Sequence, residues 1–145
     1  SLTGYKPLED CLNSIEQDDL DARKALLASV AETLSRMHNH YLKHGSLYAK
    51  HILVRVKSPC SSNHDGAYEF DSVVIDLERM RICFPLSLIA LHDLDQLYRR
   101  WKRRNGDWEV FVDSYLARIK FGFLDRKVTD AIIRGMREKR DHIRI

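Results

Sequence analysis

No apolar run in the chain approaches the roughly 20 residues that a membrane-crossing helix needs, so no such span is expected. The opening Ser1-Leu2-Thr3-Gly4-Tyr5-Lys6 lacks the basic region and apolar core of a secretory signal. It lacks an initiator Met as well, so the chain reads as cut from something longer. Cysteine is scarce. Cys11, Cys60 and Cys83 are odd in number and have neither metal-ligand nor redox spacing, which fits a reducing cytoplasm and incidental thiols. There is no internal repeat and no low-complexity segment. What remains is an ordinary globular composition, 44% hydrophobic over 145 residues, enough for one domain (1–145) with its own core.

Net charge is only +3, but it is unevenly spread. Arg99, Arg100, Lys102, Arg103 and Arg104 form one basic cluster. Arg134, Arg137, Lys139, Arg140, His142 and Arg144 form another. Such clusters attract phosphates, anionic lipid or nucleic acid. Interleaved acids also fit plain solvated helix faces and make nucleic acid the remotest of these partners.

Hydrophobic spacing places the elements. Gly4 and Pro7 mark a turn, and Leu8, Cys11, Leu12 and Ile15 recur at helical spacing after it. Asp18, Asp19 and Asp21 offer N-cap acids to a helix over about 21–40, whose buried stripe is Leu26, Leu27, Val30, Leu34 and Met37. Ile52 to Val56 and Tyr68 to Ile75 read as the two strands of a hairpin with a polar, turn-rich loop over 57–66. Pro85 opens a helix over about 86–104. Asp107 is expected to cap a helix with Val110, Phe111, Tyr115 and Ile119 on one side, ending at Gly122. Asp125 is expected to cap a last one that buries Val128, Ile132, Ile133 and Met136. The sum is a mainly α domain of about five helices with one small β-hairpin.

The chemistry gathers at the open end of that hairpin. His44-Gly45-Ser46-Leu47-Tyr48-Ala49-Lys50-His51 leads into Ile52-Leu53-Val54, and Val73-Val74-Ile75 ends in Asp76-Leu77-Glu78. Strand pairing would bring Ser46, His51 and Asp76 together. A zinc set is not expected from His38, His40 and His44, because no Cys or acid completes it nearby. A Ser46 nucleophile lacks a specific base-and-orienter pair.

The order of loop, strand and acid is that of protein kinases, whose loop reads H-x-D-L-x-x-x-N and whose later strand ends in a metal-binding Asp. His44, Leu47 and Asp76 match; Ser46 stands at the catalytic Asp position and His51 at the Asn position. The wording His-Gly-x-Leu-Tyr-x-Lys-His-Ile with Ile-Asp-Leu-Glu resembles the lipopolysaccharide kinase family of Gram-negative bacteria (InaA and WaaP type), over about 2–97. The resemblance implies the C-terminal lobe of a protein-kinase-like fold. It further implies a transferase that moves the ATP γ-phosphate to a lipopolysaccharide core sugar or another small acceptor, at the cytoplasmic face of the inner membrane.

In that reading Leu2, Thr3 and Gly4 form the hinge that meets adenine. Asp76 binds Mg²⁺, His51 binds Mg²⁺ or phosphate or orients Asp76, and Lys50 contacts phosphate or solvent. His44 holds the loop, and Asp93 on the following helix holds the loop backbone from below, with Asp95 as the fallback. The Gly-rich loop and strand Lys would belong to an N-terminal lobe. The short span from Glu78 to Leu86 speaks against a protein substrate. Because Ser46 cannot act as a carboxylate base, the competing reading is a non-catalytic pseudokinase that binds a nucleotide or a partner.

Overall fold

The computed structural model describes residues 4–15, 19–57, 69–101, 106–122, 125–127 and 129–135. A two-residue strand, β1 (Lys6–Pro7), runs directly into helix α1 (Leu8–Ser14). Helix α2 (Leu20–Asn39) follows, and the Asp19 carboxylate caps it by accepting from Ala22 N at 3.1 Å. Its expected stripe is the core: Leu26, Leu27, Val30 and Leu34 are buried, and Met37 packs partly buried at its edge. Each such side chain contributes roughly 1.5–3 kcal/mol by leaving water.

Strand β2 (Leu42–Lys43) comes next, then a 3-10 turn over Ala49–His51, β3 (Ile52–Val56) and β4 (Phe70–Val74). β3 and β4 form the expected hairpin, with Ile52 opposite Val74 and Val56 opposite Phe70. β1 adds to its other edge, Lys6 opposite Val54. Hydroxyl groups dock the hairpin on α2: Thr33 Oγ1 lies 2.6 Å from Ser72 Oγ, and Ser29 Oγ donates to the Phe70 carbonyl at 2.9 Å. A second 3-10 turn over Leu77–Arg79 leads to β5 (Arg81–Ile82), which pairs with β2. The three two-residue strands were not expected from sequence, because two residues show no alternation to read.

Helix α3 spans Leu86–Arg100, and its core face is Ile89, Ala90, Leu94 and Leu97. The expected extension over 102–104 lies outside the described residues. Helix α4 spans Asp107–Arg118 and packs along α2. It stops short of Gly122, with Ile119 extended but buried just past its end. Gly106 occupies its N-cap position, and Asp107 is its first residue. The Asp107 carboxylate forms a buried ion pair with Arg23 of α2, whose Nη1 also donates to the Leu12 carbonyl at 2.9 Å. A last helical stretch covers 125–127 and 129–135. There Ile133 is buried, while Ile132 is 46% exposed, contrary to expectation. Neighbours in a helix lie about 100° apart, so a narrow interface takes one of them and leaves the other out. Val128, Met136 and the basic residues beyond 135 lie outside the described residues.

Candidate active site

The hairpin delivers the expected residues to its open end. Ile75 N donates to the His51 carbonyl at 2.8 Å, one rung beyond the Ile52–Val74 pair, and this fixes Asp76 beside His51. Asp76 takes a left-handed backbone (φ 61°, ψ 62°), a conformation that Asp tolerates better than most residues. His51 Nε2 lies 3.2 Å from Asp76 Oδ2, and His51 Nδ1 lies 2.8 Å from the Ser46 carbonyl. A carbonyl only accepts, so Nδ1 carries a proton and donates. In the neutral ring Nε2 then turns a lone pair toward the Asp76 carboxylate.

His44 is fully buried and holds the loop from inside. Its Nε2 donates to the Ile75 carbonyl at 2.9 Å, and its Nδ1 accepts from Ser46 N at 3.2 Å. Both imidazoles flanking Ser46 therefore engage main chain and leave its hydroxyl alone, which is no arrangement for a serine nucleophile. His40 Nδ1 donates to the Arg36 carbonyl at 2.8 Å, so His40 and His44 do not form a metal pair.

Asp93, not Asp95, grips the loop. Its Oδ2 accepts from His44 N at 2.8 Å and its Oδ1 from Gly45 N at 3.1 Å. Asp95 pairs with Arg99 on the surface. Three partners here escaped the sequence reading. His38 Nε2 donates to Asp93 Oδ2 at 2.8 Å, and Tyr115 donates its hydroxyl to His38 Nδ1 at 2.7 Å. Gln96 Oε1 accepts from Leu47 N at 3.0 Å. Burial pushes the Asp93 carboxyl up. The hydrogen bond from His38, with those from the two loop N–H groups, outweighs burial and holds it below the usual aspartate value. Burial, with Asp93 nearby, pushes the Tyr115 phenol well above its ordinary value and keeps it a donor.

Gly45 completes the loop. Its φ is +88°, and a Cβ there would sit 3.0 Å from the Arg79 carbonyl oxygen, so the loop and the segment after Asp76 touch through backbone. Lys50 is exposed, with its Nζ 5.9 Å from the centre of the Tyr48 ring. Leu2 and Thr3 lie outside the described residues. Gly4 is exposed, toward the Val56 end of β3 by the β1 register, and borders a cavity of about 700 Å³ shared with Lys6, Cys11, Val54 and Phe70. A second cavity, of about 630 Å³, lies between Leu88, Leu91 and Ile132. Neither is lined by Ser46, His51 or Asp76. Among the described residues no cluster of three or more His, Cys, Asp or Glu side chains converges as a metal cage.

None of the curated proteins matches the chain. A solved structure of WaaP in complex with acyl carrier protein matches it with a TM-score of 0.68 at 23% identity, over 98% of this chain. The chain spans 58% of that WaaP chain. At this identity the likeness establishes the fold, a mainly α, kinase-like C-terminal lobe. The family description "lipopolysaccharide kinase (Kdo/WaaP) family" matches residues 1–115, which takes the likeness beyond the motif region into α4. With the loop, hairpin and acid in place and most of its length matched, the chain belongs to the lipopolysaccharide kinase (Kdo/WaaP) family.

Proposed function

We propose that this lobe carries the acceptor side and the metal-binding half of an ATP-dependent phosphotransferase acting on a sugar hydroxyl of the lipopolysaccharide core. The observation that carries the reading is His51, bonded to the Ser46 carbonyl at 2.8 Å and facing Asp76 at 3.2 Å. One side chain thus ties the expected acceptor position to the expected metal position.

Asp76 would hold Mg²⁺ with His51 orienting its carboxylate, and a lone carboxylate of this kind fits a nucleotide-borne ion. Mg²⁺ commonly takes only one or two protein carboxylates and completes its shell with water and phosphate oxygens. The Asp76 side chain is 47% exposed, open to such a complex. When bound, Mg²⁺ supplies positive charge against the transferring phosphoryl group. The chain's own residues orient. His44 and Asp93 fix the backbone of Ser46, His51 fixes its carbonyl, and the Ser46 hydroxyl is left to face the acceptor. Leu2, Thr3 and Gly4 are assigned to the adenine end, with an N-terminal lobe closing over the nucleotide.

Membrane attachment is assigned to the segment after Asp76. Leu77, Ile82, Phe84 and Leu88 are all at least half exposed. The side chains of Arg79 and Arg81 lie among them, without an ion-pair partner among the described residues. The same surface could also receive a carrier protein, as the WaaP structure contains an acyl carrier protein. On this reading the protein works at the cytoplasmic face of the inner membrane as a peripheral component; no helix among the described residues is long and apolar enough to cross a membrane.

The second reading, a pseudokinase, is favoured by Ser46 itself, which cannot accept the proton of an acceptor as a carboxylate does. General-base help is worth about 10²–10⁴-fold. The test is phosphate transfer to core oligosaccharide by the full-length protein. Ser46→Ala is expected to change the rate little. Ser46→Asp is expected to raise it by up to about 10²-fold, measured with and without His51→Asn because the new carboxylate can pair with His51. No turnover in any variant with nucleotide binding intact would establish the pseudokinase.

A further inference from the structure

One face of α3 meets the catalytic loop residue by residue. Asp93 takes His44 N and Gly45 N, and Gln96 takes Leu47 N. Arg100 then lays its guanidinium 4.6 Å from the centre of the Tyr48 ring. The spacing i, i+3, i+7 is a single helical stripe, so the geometry that fixes the loop also fixes Arg100. Tyr48 is two residues from Ser46, and its ring lies 5.5 Å from the His51 ring. Lys50 Nζ lies 5.9 Å from the centre of the same ring.

Two cations therefore converge on one aromatic ring beside Ser46, and neither has an acidic partner among the described residues. The neighbouring Arg99 shows the ordinary alternative, a 2.9 Å pair with Asp95. A guanidinium held over a ring by cation–π attraction still has N–H groups to give to other acceptors, in the fork that matches a carboxylate or phosphate. The ring holds it in place by cation–π attraction, so little side-chain freedom remains to be lost on binding.

We propose that Arg100, Lys50 and Tyr48 form a subsite for an anionic group, carboxylate or phosphate, borne by the acceptor sugar next to the hydroxyl that is phosphorylated. Arg100 grips the anion edge-on, Lys50 adds charge, and Tyr48 offers its ring to the sugar. The inference deepens the phosphotransferase reading and rests on it for the identity of Ser46 as the acceptor position.

The test is an NMR titration of the chain with glucuronate, glucose 6-phosphate, glucose and ADP–Mg²⁺, following the Tyr48 ring and Arg100 side-chain signals. Both sugar acids are expected to shift these signals, and glucose to leave them unmoved. Arg100→Gln is expected to weaken sugar-acid binding at least tenfold with the remaining spectrum unchanged, and Arg100→Lys to recover only part of it. Asp76→Asn is expected to leave sugar-acid binding intact. Equal shifts with glucose, unchanged binding in Arg100→Gln, or displacement of glucuronate by ADP–Mg²⁺ would overturn the subsite. Failure of the underlying reading looks different: sugar acids bind through Arg100, yet the full-length protein transfers no phosphate.

Discussion

Asp93 is the residue on which the loop depends. It is fully buried and receives His38 together with the amides of His44 and Gly45. Asp93→Asn turns an amide N–H₂ toward donors and is expected to destabilise the protein by about 3–5 kcal/mol, the range for breaking a buried pair, measured by urea unfolding at neutral pH. The sign with pH follows from its lowered carboxyl. Ionised Asp93 contributes stability above the ordinary aspartate value, and that contribution is lost as pH falls through its lowered folded value. The gap between wild type and Asp93→Asn should therefore narrow in acid; a gap that widened would show that Asp93 is not the charged centre. Gly45→Ala meets both a left-handed backbone and the Arg79 carbonyl, and should lose about 1–3 kcal/mol. Wild-type stability in that variant would mean the loop relaxes freely.

At the scale of elements, α2 and the β3–β4 hairpin were legible because long periodic segments declare themselves. The site followed from them, since the strand ends carry His51 and Asp76 and pairing alone brings these together. The supports were harder to read. His38 continues the buried i, i+4 spacing of Val30 and Leu34 on α2 but raised only the question of a zinc set, while Tyr115 sits in an apolar stripe of α4 and passed as packing. A histidine in register with a buried stripe was the available signal for His38. β1, β2 and β5 are too short for a pattern and are set by tertiary register. Asp107 looked like a cap, but its carboxylate serves Arg23 across the α2–α4 contact. Asp107→Ala leaves that guanidinium buried without its acid and should destabilise by about 3–5 kcal/mol. A loss below about 1 kcal/mol, the usual worth of an exposed pair, would contradict the buried assignment.

At the scale of the whole molecule, the lobe offers an amphipathic margin beside the candidate site. Lys43 and Arg81 stand directly opposite in the β2–β5 ladder, a like-charge pairing that an external anion would relieve. Ile82 and Phe84 project beside them, 68% and 70% exposed. Arg81→Glu should weaken binding to anionic vesicles about fivefold or more, following roughly 1 kcal/mol per cation near a charged surface, and added salt should weaken the wild type likewise. Phe84→Ser should weaken it in a salt-independent way. Equal binding to zwitterionic vesicles would take the cations out of the contact, and unchanged binding in both variants would return this margin to solvent.

The most direct measurement for the account as a whole is phosphate transfer from ATP by full-length Asp76→Asn. The carboxylate beside His51 is the proposed metal anchor, so the variant should fold and retain His51 near Ser46, yet lose most of its transfer to core oligosaccharide. Transfer at the wild-type rate would show that the site lies elsewhere and that the His51–Asp76 pair is structural.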